Sequence, residues 1–502
     1  MRKRRILCAV LALLLFVTSV PVMRAEAASG SKLIALTFDD GPSAYTSSLL
    51  DACQRYDAHV TFFMTGQNGA CGVSNYKSLL ERMVDEGHQL ANHTWSHPNL
   101  TNLTADAIRY QINSVNSYLY EAMGGTYQTF VRTPGGSSND LVKSTIQAPL
   151  IYWSVDTQDW KYRDSSYVYN YIMNHAYDGA IILLHDIHKT SVEAAIPAIR
   201  DLKAKGYELV TVAELLRRRQ VTPQNGVWYY SATNQGTTLP AYQEPEITIK
   251  QKSDSNIVKL STDDTGVSLY YTTNGARPNL SSKKYDGAFE AYGGTTITVI
   301  GIDKYGTRTE PVSETVLFRD VEEPAYYYYG PVYWAAKKGI TYGRATTNYT
   351  TFDPEATCTR REIVTFLWRL AGCPEPSSME SPFKDVTDTE AYYYKAVLWA
   401  AEKGITYGRA ATNYTTFDPK ATCTRREIVT FLWRYAGRPN PTSAESGFTD
   451  VADADAYYYK AVLWAVEKGI TTGKGSTNYT TFDPSGRCTR AMAVTFLYRY
   501  AR

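Results

Sequence analysis

The chain has 502 residues, 52 Lys+Arg against 50 Asp+Glu, and 13% aromatic residues. That length is too great for one hydrophobic core and calls for about three or four domains. A charge so nearly balanced excludes a strongly basic nucleic-acid binder.

Arg2-Lys3-Arg4-Arg5 precede an apolar run, Ile6–Val20, and Ala25-Glu26-Ala27 offers small residues at a cleavage site. This predicts an export signal over residues 1–27, with a retained anchor as the alternative; the run falls short of the about 20 residues a membrane crossing needs. Its removal leaves 47 basic and 49 acidic residues, a net charge of −2, and no polybasic patch for a membrane surface. Six cysteines remain without Cys8. Cys358, Cys423 and Cys488 occupy equivalent positions of a repeat and read as small buried hydrophobes, whereas Cys53 and Cys71 are left open as a pair.

From Leu33 to Arg219 short apolar runs alternate with amphipathic ones, as in an α/β domain over residues 28–220. Predicted strands are Leu33–Phe38, Val60–Met64, Gln89–Asn92, Thr129–Arg132, Ile151–Val155, Ala180–Leu184 and Glu208–Val212. Predicted helices include Asn75–Glu86, Thr104–Met123, Ser165–Tyr177 and Val192–Lys205. A polar cluster follows the end of each strand that matters, and in a parallel barrel those ends share one face.

The first cluster is Thr37-Phe38-Asp39-Asp40-Gly41-Pro42. Strand neighbours point to opposite faces, so Asp39 and Asp40 share a site only if the strand stops and Gly41-Pro42 bends the backbone away. Two adjacent anions repel; a divalent cation on one and a guanidinium on the other let both stay ionised. Downstream, His93 and His97 flank Thr94-Trp95-Ser96. Four apart in one helical turn they share a face and can grip a metal, with Asp40 completing a two-histidine, one-carboxylate set. Then come Arg132-Thr133-Pro134-Gly135-Gly136, Asp156-Thr157-Gln158-Asp159-Trp160 and Leu183-Leu184-His185-Asp186. A glycosidase carboxylate pair, set about 5 to 9.5 Å apart across the bond, fits adjacent aspartates poorly.

These five clusters resemble, in order, the five motifs of the polysaccharide deacetylases, the NodB-homology group of carbohydrate esterase family four. Gly135 departs from them, standing where the third motif carries an aromatic residue. The resemblance implies a distorted (β/α) barrel and a metal-dependent hydrolysis of acetamides. It assigns Asp40, His93 and His97 to the metal, zinc first, with cobalt, nickel and manganese as alternatives. Asp39 becomes the general base, oriented by Arg132; the backbone N–H of Gly135 receives the oxyanion; His185, made more basic by Asp159, protonates the leaving amine. Trp160 and Leu183 form the acetyl pocket. Asp156 has no chemical duty in this scheme beyond capping its loop.

Residues 221–244 lack periodicity and read as a linker. In 245–317 the runs Ile247–Leu260, Ser268–Thr273 and Thr295–Ile302 predict a small all-β sandwich. Tyr270-Tyr271-Thr272-Thr273-Asn274-Gly275, Pro278 and Tyr285-Asp286-Gly287 resemble the immunoglobulin-like C-terminal domain of chitobiase-type enzymes.

The last third repeats three times at a spacing of 65: Phe318, Phe383, Phe448; Trp334, Trp399, Trp464; Cys358, Cys423, Cys488. The copies span 318–382, 383–447 and 448–502, each with a tyrosine-rich helix and a second helix opening at Thr359, Thr424 or Thr489 as N-cap. They resemble S-layer homology repeats, which implies an all-α bundle that binds anionic secondary wall polymers through Arg360, Arg425 and Arg490. Free amides of each helix N-terminus would complete an anion cradle. Arg361 and Arg426 replace the family's alanine, Met492 its glutamate, and Tyr392 stands where its tryptophan is usual.

The whole reads as a multidomain protein, secreted and attached to the bacterial wall, that deacetylates N-acetylhexosamine residues, peptidoglycan first among N-acetylglucosamine polymers. The alternatives are an O-deacetylase of acetylated xylan and a wall-bound protein that only holds carbohydrate. Nucleic acid is not expected as a partner, nor a membrane after processing.

Overall fold

The computed structural model describes residues 32–252 and 254–502; the predicted export signal lies outside them. The chain divides into two compact units, the first of residues up to 116 with 130–241, the second of 117–129 with 242–502. Among the described residues no helix is long and apolar enough to cross a membrane.

The first unit is built on β1 (Lys32–Asp39), β2 (Thr61–Met64), β3 (Gln89–Asn92), β4 (Leu150–Ile151), β5 (Val155–Asp156), β6 (Ile181–His185), β7 (Tyr207–Leu209) and β8 (Trp228–Tyr229). The helices are α1 (Thr46–Tyr56), α2 (Lys77–Asp85), α3 (Ala105–Met123), α4 (Asp140–Thr145), α5 (Asp159–Tyr162), α6 (Ser165–His175), α7 (Lys189–Ala204) and α8 (Val212–Arg218). β1 is buried from Leu33 to Asp39, the continuous apolar pattern of a parallel strand covered on both faces. It pairs in parallel with β2 and β6, and with β7 at its start; the order runs β3-β2-β1-β6-β5. Val131 bridges Asn92 on one side and Leu150 on the other. Since β4 and β5 are successive pieces of one segment, the pairings run round a ring. Helices cover it by amphipathic faces; α7 buries Val192, Ala195, Ile199 and Leu202 at three- and four-residue spacing and packs on α1 and α6.

Three expectations need correction. The predicted strand Thr129–Arg132 pairs through Val131 alone, and Ile151–Val155 breaks in two where Ile151 O and Tyr152 O accept from the buried Arg132. The predicted linker is largely part of the first unit. Trp228 and Tyr229 pair with Leu150 and Ile151, Ala232 N–H donates to Gly179 O, and Leu239 N–H to Arg218 O. Its short aromatic run gives β4 an edge partner, and its backbone groups are thereby satisfied.

In the second unit, β9 (Glu246–Gln251), β10 (Asn256–Ser261), β11 (Val267–Thr272), β12 (Lys283–Lys284), β13 (Phe289–Glu290), β14 (Thr296–Asp303) and β15 (Val312–Thr315) form two antiparallel sheets, β13-β10-β9 and β12-β11-β14-β15. Val258, Leu260, Tyr271, Ile297 and Val299 fill the space between them. The predicted run Ile247–Leu260 is a hairpin, β9 with β10.

The repeats supply α9 (Tyr329–Lys337), α10 (Arg360–Leu370), α11 (Tyr394–Glu402), α12 (Arg425–Tyr435), α13 (Tyr459–Glu467) and α14 (Arg490–Tyr500). The second helix of each repeat packs on the first helix of the next, α10 on α11, α12 on α13, and α14 back on α9. Thr359 and Thr424 cap their helices in capping boxes with Glu362 and Glu427, while Thr489 caps alone because Met492 has no carboxylate. At the centre the backbone closes a ring: Cys358 N–H donates to Cys488 O, Cys423 to Cys358 O, and Cys488 to Cys423 O, at 2.8 to 2.9 Å.

Those three cysteines are fully buried, burial raises their thiol pKa values, and none forms a disulfide; Cys53 and Cys71 are likewise unpaired. With a thiol reagent the native protein is therefore expected to label quickly at exposed Cys373 and slowly at half-buried Cys71. Cys53, Cys358, Cys423 and Cys488 should react only after denaturation, as mass spectrometry of labelled peptides will read.

Candidate functional site

β1 ends at Asp39, and Asp40 turns the chain in left-handed backbone at φ 73°. That turn, before Gly41-Pro42, lets the two carboxylates address one site. Asp40 is anchored through its backbone: its N–H donates to Phe63 O, and its carbonyl accepts from Thr65 Oγ1 at 2.7 Å. Its Oδ1 lies 3.4 Å from His97 Nε2 and 3.7 Å from His93 Nε2.

The histidines meet by a different route from the predicted helical turn. His93 follows β3, and the segment to His97 is irregular, with Thr94 at φ 75° and His97 at φ 55°; the rings lie 5.1 Å apart. A loop held in two left-handed positions does what helical spacing was expected to do. His93 Nδ1 sits 2.7 Å from Arg132 O, which only accepts, so Nδ1 carries the proton and Nε2 keeps its lone pair. Burial lowers its pKa to about 3 against the pull of Asp40, so the ring is neutral with its Nε2 lone pair free.

Metal bonds of about 2.0 to 2.2 Å set neighbouring donors about 3 to 3.5 Å apart. The ligand atoms of Asp40, His93 and His97 lie within 4.8 Å of one another, and Asp40 Oδ1 is buried without a hydrogen-bond partner. An orphaned carboxylate oxygen facing imidazole nitrogen fits a divalent cation.

Asp39 is held from behind. Arg132, fully buried, donates from Nη1 to Asp39 Oδ1 at 2.6 Å and to Thr37 Oγ1 at 2.8 Å, from Nε to Ile151 O, and from Nη2 to Tyr152 O. Its guanidinium also lies 4.0 Å over the Phe63 ring. Burial raises the Asp39 pKa, and Arg132, the largest opposing influence, does not cancel the rise. The carboxylate is oriented by the arginine yet a stronger base than an exposed aspartate.

His185 ends β6 in register with Asp39. Asp159 grips it twice, Oδ1 at 2.8 Å from Nδ1 and Oδ2 accepting from its backbone N–H at 2.7 Å. Burial lowers the imidazole pKa, but Asp159, then Asp39 and Asp40, outweigh that and lift it to about 9. Leu183, buried and two residues earlier, shares the face of His185, while Trp160 on α5 is 49% exposed. Asp156 caps its loop, accepting from Gln158 N–H at 2.9 Å.

Gly135 (φ 62°) and Gly136 (φ 67°) form the turn after Arg132. A Cβ on Gly136 would fall 2.1 Å from the Tyr152 ring, so only glycine admits that ring. Tyr152 stacks on Trp153 and meets Trp228 and Tyr230. This aromatic cluster was not anticipated; the run Trp228-Tyr229-Tyr230 was its signal. Asp186 was also passed over although it follows His185 directly. It is fully buried, accepts from Thr46 Oγ1, and lies where a side chain on Gly41 would collide with it. Burial, reinforced by the charge of Asp40, lifts its pKa to about 7.

In the repeats the first-turn amides expected to share in an anion cradle are already taken. Arg360, Arg425 and Arg490 are buried, and the first-turn amides are spent on carbonyls of a neighbouring repeat: Arg360 on Ala421, Arg425 on Gly486, Arg490 on Ala356. The packing of repeat on repeat thus consumes the backbone amides an anion was expected to find, while Arg425 Nη2 and Arg490 Nη2 have no hydrogen-bond partner.

The polysaccharide deacetylase family model matches residues 26–150, that of the chitobiase/beta-hexosaminidase C-terminal domain 236–314, and that of the S-layer homology domain 317–364, 382–429 and 447–493. The chain is 38% identical over 218 residues to the peptidoglycan-N-acetylglucosamine deacetylase PgdA of Listeria monocytogenes (43% of this chain, 45% of the relative). It is 43% identical over 185 residues to the peptidoglycan-N-acetylmuramic acid deacetylase PdaC of Bacillus subtilis (37% and 38%). It is 36% identical over 197 residues to the peptidoglycan-N-acetylmuramic acid deacetylase PdaA of the same organism (38% and 73%). The match thus spans less than half the length of the first two relatives.

Two outcomes are expected of this geometry. In an NMR titration of the metal-free protein, His185 should titrate near 9, and Asp159→Asn should bring it down by removing its main raising partner. Arg132→Met leaves the Asp39 carboxylate and two carbonyls without their donor, so urea unfolding of the first unit should show a loss of about 3 to 5 kcal/mol.

Proposed function

Because the chain belongs to the polysaccharide deacetylase family, we propose that it is a metal-dependent N-deacetylase of N-acetylhexosamine residues, with peptidoglycan as its substrate. The observation that carries this is the arrangement at the end of β1: Asp40 Oδ1 lies within 3.7 Å of both imidazole Nε2 atoms, while Asp39, whose Oδ2 is 3.6 Å from His93 Nε2, gives its other oxygen to Arg132. A spent site would have lost one of these groups. The chain's similarity to three peptidoglycan deacetylases supports the choice of substrate.

Asp40, His93 and His97 hold the cation, zinc first, which when bound polarises the acetyl carbonyl and acidifies water. Asp39 accepts the proton of the attacking water, its raised pKa suiting that task. Arg132 keeps the Asp39 carboxylate aimed. The Gly135 N–H donates to the oxygen on which negative charge develops, a contact of a kind that lowers barriers by about 3 to 4 kcal/mol. His185, protonated below about 9, passes its proton to the departing amine, and Asp159 fixes the tautomer and the ring. Leu183 and Trp160 bound the space for the acetyl methyl group.

The same reading takes the ring of strands as a distorted (β/α) barrel and the repeats as one helical bundle. It has residues 1–27 exporting the chain and the repeats attaching it to an anionic wall polymer at the bacterial surface, so that the enzyme works beside its substrate.

The full chain should raise free amines and release acetate from peptidoglycan or N-acetylglucosamine oligomers. Asp39→Asn should abolish both, and a chelator should do the same until zinc, cobalt, nickel or manganese is restored. Acetate release from acetylated xylan alone would make the protein an O-deacetylase; no release at all would leave it a carbohydrate-holding protein. Co-sedimentation with purified walls tests the attachment.

A further inference from the structure

We propose that Gly66 and Trp95 are a positioning pair: the indole occupies the space that the missing side chain of Gly66 leaves, and this contact holds His97 against Asp40. The proposal rests on the metal-site reading and gives a duty to two residues outside the ligand set.

The three ligands are supported unequally. Asp40 is set by its own backbone bonds to Phe63 O and Thr65 Oγ1. His93 N–H donates to Met64 O at 2.8 Å, and its ring is fixed through Nδ1 against Arg132 O. His97 has neither kind of support. Among the described residues no hydrogen bond holds its ring or its N–H from behind; its side chain is 38% exposed, its backbone is left-handed, and its Nε2 faces Asp40 Oδ1 at 3.4 Å. The place of His97 is therefore inherited from Thr94-Trp95-Ser96 before it.

That segment is fastened to the turn that follows β2. Gly66 N–H donates to Thr94 O at 3.1 Å, and Gln67 N–H to Trp95 O at 2.7 Å. From the same turn Thr65 N–H donates to Gly41 O at 3.1 Å, so residues 65–67 tie the Asp40 turn to the histidine loop. On the other side Ser96 exchanges bonds with Gln111 of α3, at 2.9 and 3.0 Å.

How closely the loop and the turn approach is decided by one absent methyl group. A Cβ on Gly66 would fall 1.9 Å from Trp95 Cε3 and 2.3 Å from Cδ2, far inside van der Waals contact. The backbone at Gly66 is not left-handed, so φ does not call for glycine there; the ring does. With a methyl group present, either the indole leaves or the two backbone bonds lengthen, and both displace His97 two residues on. A ligand on an unpinned, exposed loop also loses conformational freedom when it binds, which weakens binding.

The test is zinc binding to the full chain by isothermal titration calorimetry, beside urea unfolding of the metal-free protein. Gly66→Ala and Trp95→Ala should each weaken zinc binding about 10- to 100-fold, the usual effect of removing a residue that orients a ligand. Trp95→Phe, which keeps a ring over Gly66, should retain most of the affinity. In a Trp95→Ala background Gly66→Ala should cost little more, because no indole remains to be displaced. In a His97→Ala background neither substitution should weaken binding further, because the pair acts through that ring. Additive losses in either background overturn the proposal. So do variants whose urea midpoint falls while the folded protein binds zinc as the unaltered chain does, for that is a structural role alone. If the unaltered chain binds zinc and the variants bind it equally well, the pair fails and the metal-site reading stands; if the unaltered chain binds none, both fail.

Discussion

The first unit depends on a charge buried where water cannot reach it. Arg132 is wholly enclosed, and its guanidinium joins Asp39 and Thr37 on β1 to the carbonyls of Ile151 and Tyr152 across the ring of strands. Each partner is a group that would itself be costly to bury alone. The arginine thus satisfies the interior of the ring and holds the carboxylate at its rim by the same bonds. It also explains why the chain between β4 and β5 leaves regular pairing, since those carbonyls turn to the guanidinium.

The two adjacent aspartates owe their separate duties to backbone geometry. Asp39 ends a strand with one oxygen on Arg132 and the other 3.6 Å from His93, whereas Asp40, in left-handed backbone, faces both histidines and no arginine. Two of the three residues in the Asp40, His93 and His97 cluster, Asp40 and His97, adopt backbone that non-glycine residues rarely take. Such positions persist only when surrounding bonds impose them, and the bonds of Asp40 to Phe63 and Thr65 do so here. Around them the charges are graded: His93 is kept neutral, His185 is kept protonated, and Asp39 is made more basic.

The repeats solve a different problem. No single repeat can bury its two helices, so each lends its second helix to the next and the third returns to the first. Closure spends the first-turn amides and most of the arginine donors on the bundle itself. The copies depart from threefold symmetry in charge at two neighbouring positions, Met492 replacing a glutamate and Ala491 an arginine.

Much of the site was legible from the order of its motifs. Asp39, Asp40, His93, His97, Arg132, Asp159 and His185 come together in the first unit as their positions at strand ends led one to expect, since a parallel sheet brings those ends to one face. The repeat period, the N-caps Thr359, Thr424 and Thr489, and the buried cysteines were likewise readable, being local or periodic properties. The loop that unites His93 and His97, the assignment of Trp228–Tyr229 to the first unit, the aromatic cluster on Gly136, and the burial of Asp186 were not. Nor was the fate of the arginines. Each of these depends on which distant segment takes up a hydrogen bond or fills a space, and a linear chain does not state its own long-range partners; only the folded packing decides them.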